Sequence, residues 1–139
     1  MKKQLISILL IIFAVILLFS VYNKLSYYTY YSDKENYITV TGTVVHIKNS
    51  EEYGICLAFE NTSVALSDNS FSIKGGAQQT VLARGILDKL AIGDHAEFIT
   101  APGYFGDGYI MPIVAIKVDG EQLLTFDEGY ESLLAYLLK

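Results

Sequence analysis

The stretch Tyr37–Lys48, "YITVTGTVVHIK", decides how the rest of the chain is read. It alternates with period two. Ile38, Val40, Gly42, Val44 and His46 share one face, and Thr39, Thr41, Thr43, Val45 and Ile47 share the other. β-Branched residues dominate, so the spacing predicts a long strand rather than a helix. Gly42 in its interior predicts a bend or bulge, of the kind that lets a strand curl around the corner of a barrel.

Downstream, "KNSEEYG" reads as a turn and "ICLAFE" as a second strand, with Ile55, Leu57 and Phe59 on one face and Cys56 and Ala58 on the other. The weaker stretch "NTSVALSDNSFSIKGG" holds one strand, at Ser63–Leu66 or Phe71–Lys74, or two. "AQQTVLARGILDKLAIGD" repeats Leu82, Ile86 and Leu90 at helical spacing, although Gly85 weakens it. "HAEFIT" and "YIMPIVAIKV" follow as strands, then the Asp119–Gly120 turn and "EQLL". Pro112 places the second of these strands at an edge or bulge. The end, "TFDEGYESLLAYLLK", is a helix opened by a Thr125/Glu128 capping box. Phe126, Tyr130, Leu133, Leu134 and Leu137 form one stripe along it.

Upstream lies a different kind of sequence. "MKKQ" precedes Leu5–Tyr22, a run with no charge, Gly or Pro. A helix of that length spans ~27 Å, close to the hydrocarbon thickness of a bilayer. A cleaved signal peptide would have a shorter apolar core and a small-x-small site, and Asn23–Tyr27 offers none. An uncleaved anchor is the expectation. Lys2 and Lys3 before the run, against Lys24 alone close behind it, place the N-terminus in the cytoplasm and the domain outside. Three parts follow: an anchor over residues 1–23, a tyrosine-rich juxtamembrane linker over 24–36, and an extracytoplasmic domain over 37–139. The tyrosines of "YNKLSYYTYY" suit an interfacial belt, or else a stacking surface for a sugar or a partner.

Residues 24–139 carry seven Lys and one Arg against seven Asp and eight Glu, a net charge of −7. That opposes a nucleic-acid partner, whose phosphates need neutralising, and strong docking on anionic lipid. Cys56 is the single cysteine, so no intramolecular disulfide can form and the core must hold the domain.

The order strand, strand, strand, helix, strand, strand, helix resembles the OB-fold, a small barrel with a helix between its third and fourth strands. The likeness rests on that order over Tyr37–Leu124, on Gly42 in the long first strand, and on "LAIGDHAEF" leading into the fourth. The expected class is mainly β within α+β: a five-stranded OB-like barrel with one inserted helix and a C-terminal helix, behind a transmembrane helix. The chain also resembles small membrane-anchored proteins of Gram-positive cell envelopes, which implies a location and a fold but no activity.

"ITAPGYFGDGYIMPIVAI", Ile99–Ile116, is the remaining distinctive segment. Its glycines, Gly103, Gly106 and Gly108, are spaced G-x-x-G-x-G and lead into a strand, so they form neither a dinucleotide fingerprint nor a Walker loop. A calcium loop needs several close oxygen ligands, and Asp107 stands alone. The segment reads as a glycine-permitted turn. Tyr104, Phe105, Asp107 and Tyr109 are its candidate contact residues: the aromatics either close the barrel or hold a ligand or partner against it. In an OB-fold this loop forms one wall of the usual binding face.

Other residues carry the ingredients of chemistry. Cys56, His46, His95 and Arg84 are the ingredients of a sortase, but Cys56 sits in an early strand, in the wrong context and order. Asp94, His95 and Glu97, with His46, would hold zinc only if they converged. No G-x-S-x-G elbow occurs. No cofactor, metal or catalytic residue is expected. The expectation is a binding or scaffold module of the envelope, contacting another envelope protein or a wall-derived ligand. Phe126, Tyr130, Leu133 and Leu137 are candidate partner-helix residues unless they plug the barrel. The alternatives are a sensor of a peptide or oligosaccharide, and an enzyme using Cys56 or a His-held metal.

Overall fold

The alternation over Tyr37–Lys48 becomes β1, Ile38–Ser50. The computed structural model of the chain describes residues 1–66, 70–102 and 110–139. Its elements run α1 (Lys2–Ser32), a 3-10 turn (Lys34–Asn36), β1, β2 (Gly54–Glu60), β3 (Ser70–Ile73), α2 (Ala77–Ala83), α3 (Ile86–Lys89), β4 (His95–Thr100), β5 (Met111–Val118), β6 (Glu121–Leu124) and α4 (Phe126–Leu137).

β1 makes the barrel corner by changing partner along its length. Ile38–Thr43 pair antiparallel with β4, and Thr43–Ser50 with β2. The bulge lies three residues beyond the expected glycine. Val44 pairs with Phe59 and His46 with Ala58, which leaves Val45 unopposed. The extra residue turns the later part of the strand over, so His46 is exposed and Ile47 takes the core side. Gly42 serves another purpose. A Cβ there would stand 3.1 Å from the Phe59 Cβ and 3.2 Å from Thr62, so glycine lets β2 and the following chain close over β1.

The sheet order is β3-β2-β1-β4-β5-β6, and a short parallel seam, Phe71 beside Met111 and Ser72 beside Pro112, joins β3 to β5. That seam closes a five-stranded mixed barrel, with β6 as a sixth strand on β5. Pro112 lies on the seam, two residues before Val114, where the β4–β5 register slips. Proline has no N–H to give a ladder, and such a margin is where it is tolerated. Of the two placements open for the third strand, Phe71–Lys74 is the one that forms.

Inside, Phe59 and Phe98 stack at 4.3 Å, and Phe71 meets both edge-on at 5.6 and 4.9 Å. Val40, Val44, Ile55, Leu57, Ile73, Ile113 and Ile116 pack around them. The single inserted helix of the sequence reading is two. Gly85 takes φ +80°, which glycine adopts without strain, and divides α2 from α3. Val81, Ile86 and Leu90 face the core, while Leu82 is half-buried.

α4 begins with the expected capping box. Thr125 Oγ1 accepts the Glu128 N–H at 3.3 Å, and Glu128 Oε2 accepts the Thr125 N–H at 3.0 Å. Arg84 grips the same carboxylate with two bonds, 2.6 and 2.8 Å, and donates to the Leu123 carbonyl at 3.1 Å. Farther along, Ser132 Oγ accepts the Ala77 N–H at 2.8 Å and donates to the Lys74 carbonyl at 2.6 Å. α4 is thus pinned across the outside of the barrel, over β5.

α1 is long and apolar enough to cross a membrane. Residues 24–32, expected within a linker, continue it as helix.

Candidate functional site

Every residue from Lys2 to Tyr22 is exposed, and from Asn23 onward one side of α1 is covered. Asn23, Tyr27, Tyr30 and Tyr31 recur at i, i+4, i+7 and i+8, the spacing of a single helical face. That face meets α4 and the ends of β4 and β1. Tyr31, Ala101, Val114 and Leu133 are buried together there, with Tyr30, Tyr37, Ile99, Phe126, Leu134 and Leu137 packed around them. This second core lies outside the barrel and joins it to the anchor helix.

The α4 stripe forms one side of that core. Leu133 is buried, and Phe126, Tyr130 and Leu137 are half-buried. They neither plug the barrel nor stand free, because the helix they meet is the chain's own α1. Phe126 and Tyr130 stack at 5.4 Å, and Tyr37 meets them edge-on at 5.4 and 6.0 Å. Lys34 Nζ caps the stack, 5.0 Å from the Tyr130 ring and 5.9 Å from that of Phe126.

The close approach of α4 depends on Gly129. A Cβ there would fall 1.8 Å from the Val114 carbonyl oxygen, so only a hydrogen fits between helix and strand. Sequence reasoning passed over this residue, although an interior helix glycine is itself a sign of close packing.

A helix leaves its last carbonyls without partners. α1 has no glycine cap, and Asp33 leaves it in extended conformation. Side chains take over instead. The Thr29 carbonyl accepts from Ser32 Oγ at 3.0 Å, and that of Tyr30 from Asn36 Nδ2 at 2.9 Å. The Tyr31 carbonyl accepts from the Tyr37 hydroxyl at 2.7 Å, and that of Ser32 from the Tyr130 hydroxyl at 2.6 Å. The Tyr30 hydroxyl reaches the other way and donates to the Pro102 carbonyl. Burial, with the neighbouring phenols of Tyr130 and Tyr30, pushes the Tyr37 hydroxyl well above its ordinary value, so it remains a donor. The tyrosine cluster thus supplies a docking face through Tyr30 and Tyr31, while the caps on its helix come from Ser32, Asn36, Tyr37 and Tyr130.

Tyr104, Phe105, Asp107 and Tyr109 lie outside the described residues. The described chain before them ends at Pro102, whose carbonyl accepts from the Tyr30 hydroxyl.

The other chemical candidates are placed apart. Cys56 faces outward on β2, and burial pushes its thiol up, against the pull of Lys74 and Lys48. That is the reverse of what activates a nucleophile. His95 Nδ1 lies 3.2 Å from Thr43 Oγ1, and the Asp94 carboxylate accepts the Ala91 N–H at 2.8 Å. Among the described residues no three metal-ligating side chains converge. Ser72 Oγ is buried without a hydrogen-bond partner among them, between Cys56 and Pro112 across the strands. No protein-family model matches the chain, and no curated protein or solved structure matches it.

Proposed function

We propose that the chain is a membrane-anchored, extracytoplasmic binding or scaffold module of the cell envelope, with an OB-type barrel as its display surface. One observation carries this reading. The apolar helix does not end in a flexible tether but runs on into the domain, where the second core and four capped carbonyls clasp it. A clasp of that kind favours an anchor that is retained. The strand circuit β1-β2-β3-β5-β4, with helices between β3 and β4, is the arrangement of an OB-fold and supports that assignment. Lys2 and Lys3 before the span favour a cytoplasmic N-terminus. The acidic domain argues against nucleic acid, and the reading assigns no catalytic step, metal or cofactor.

The sensor alternative has one observation of its own. Pro102, two residues before Tyr104 in sequence, accepts a hydrogen bond from Tyr30, so the chain that leads to the candidate aromatics Tyr104, Phe105 and Tyr109 is bonded to the anchor helix. The test is binding of wall fragments and crosslinking in the native membrane. A scaffold crosslinks to a specific envelope protein and takes no fragment. A sensor binds a fragment and loses it in Tyr104→Ala and Phe105→Ala. Protection of the domain from protease on intact cells would overturn the outward placement.

A further inference from the structure

Two hydrogen bonds fix how α4 lies along α1. The Tyr130 hydroxyl donates to the Ser32 carbonyl, and Lys24 Nζ donates to the Lys139 carbonyl. As α4 advances from Tyr130 to Lys139, α1 is read backward from Ser32 to Lys24. The helices are antiparallel, and over those residues each rises ~12–14 Å. The last turn of α4 is therefore level with Lys24, two residues past the apolar run that ends at Tyr22.

That turn is built for a bilayer surface. Leu138 is 62% exposed and Tyr136 45%, although Leu133 one turn earlier is buried. Exposed leucine is costly in water, while leucine, tyrosine and lysine together suit the headgroup boundary. Charge is segregated the same way. Neither α1 nor Ser132–Lys139 contains an Asp or Glu, whereas Lys24, Lys139 and Lys74 gather at this level. Lys74 Nζ lies 5.5 Å from the Tyr136 ring. The −7 of residues 24–139 conceals this, because the acids of that stretch lie outside Ser132–Lys139 in the sequence.

We infer that the end of α4 and the two residues after it, with Tyr136, Leu138 and Lys139, form a second membrane-contact site that inserts at the lipid headgroup boundary beside the span. The inference rests on the reading of α1 as a membrane anchor, and the lysines favour anionic headgroups at the contact. The barrel would then meet the membrane at two points, α1 and the α4 tip, and hold one fixed tilt.

The chain has no tryptophan, so single tryptophans report depth cleanly. The full chain is reconstituted in phosphatidylcholine/phosphatidylglycerol vesicles with lipids brominated near the headgroup or deep in the acyl chain. Phe13→Trp reports the span, Leu138→Trp and Tyr136→Trp the tip, and Ile92→Trp the turn before β4, at the other end of that strand from Ala101 and the seam. All four positions are exposed, so none of the changes disturbs a core. Shallow bromines should quench Leu138→Trp and Tyr136→Trp several-fold more than Ile92→Trp, with deep bromines quenching Phe13→Trp. If Phe13→Trp is quenched while both tip variants behave like Ile92→Trp, the second contact is overturned and the anchor stands. If Phe13→Trp is not quenched, the anchor reading falls, and the second contact with it.

Discussion

Gly129 sits inside a helix, where glycine costs about 1 kcal/mol relative to alanine. It is kept there by the Val114 carbonyl, which leaves no space for a methyl group. Gly129→Ala therefore sets helix propensity against packing, and packing wins. Overpacking of this kind costs about 2–3 kcal/mol, and the backbone of β5 cannot rotate away as a side chain would. The expected result is a fall in Tm on the order of 10 °C in thermal unfolding of the full chain in detergent. An unchanged or higher Tm would mean that α4 does not lie on β5. Gly42 teaches the complementary lesson. The sequence marks it as special, but nothing in "TVTGTVV" says whether the bulge falls on the glycine or among the valines beyond it. Val44 and Val45 are equally suited to a strand, and only the partner on β2 decides which is left over.

At the scale of elements, β1, β2, β4 and α4 were legible because each buries a face with its own period, two for strands and 3.6 for the helix, and β5 because it is a short apolar run buried on both faces. The capping box was legible because it is local. The Arg84 grip on Glu128 was not, since it joins residues far apart in sequence. That grip and the cap hold the Glu128 carboxyl down at about 2, against the usual 4.5. A depressed carboxylate contributes stability that is complete above its ordinary value and is lost as pH falls toward the folded one. Between pH 6 and 3 the urea midpoint should drop more for the wild type than for Glu128→Gln, which cannot titrate. Parallel pH profiles would show that the pair contributes nothing, as many exposed pairs do. The β3–β5 seam was beyond sequence reading for a different reason. It is two residue pairs long, too short to impose a pattern.

For the whole molecule, the decisive joint is between anchor and barrel. The stripe on α4 was legible, but its occupant was not, because an apolar face does not say which apolar surface will cover it. Tyrosine compounds the difficulty, since a membrane boundary and a wet helix seam select the same residue. Tyr31→Ala removes a ring that is 1% exposed at the centre of the seam, a loss of about 3 kcal/mol for a large aromatic. Amide exchange of residues 24–32 should accelerate markedly, while strands around Phe59 and Phe98 keep their protection. A uniform loss of protection would instead make the seam and the barrel one cooperative unit.

The seam joins the first helix of the chain to the last, with residues 98 and 115 positions apart bonded directly. During synthesis α1 is made before the barrel, and the α4 surface that covers Tyr31 follows only after the barrel strands. Until α4 emerges and the barrel has closed, the tyrosine face of α1 stays bare just above the lipid. A ribosome stalled before Phe126 would leave the chain in that state, membrane-bound and visibly unfinished.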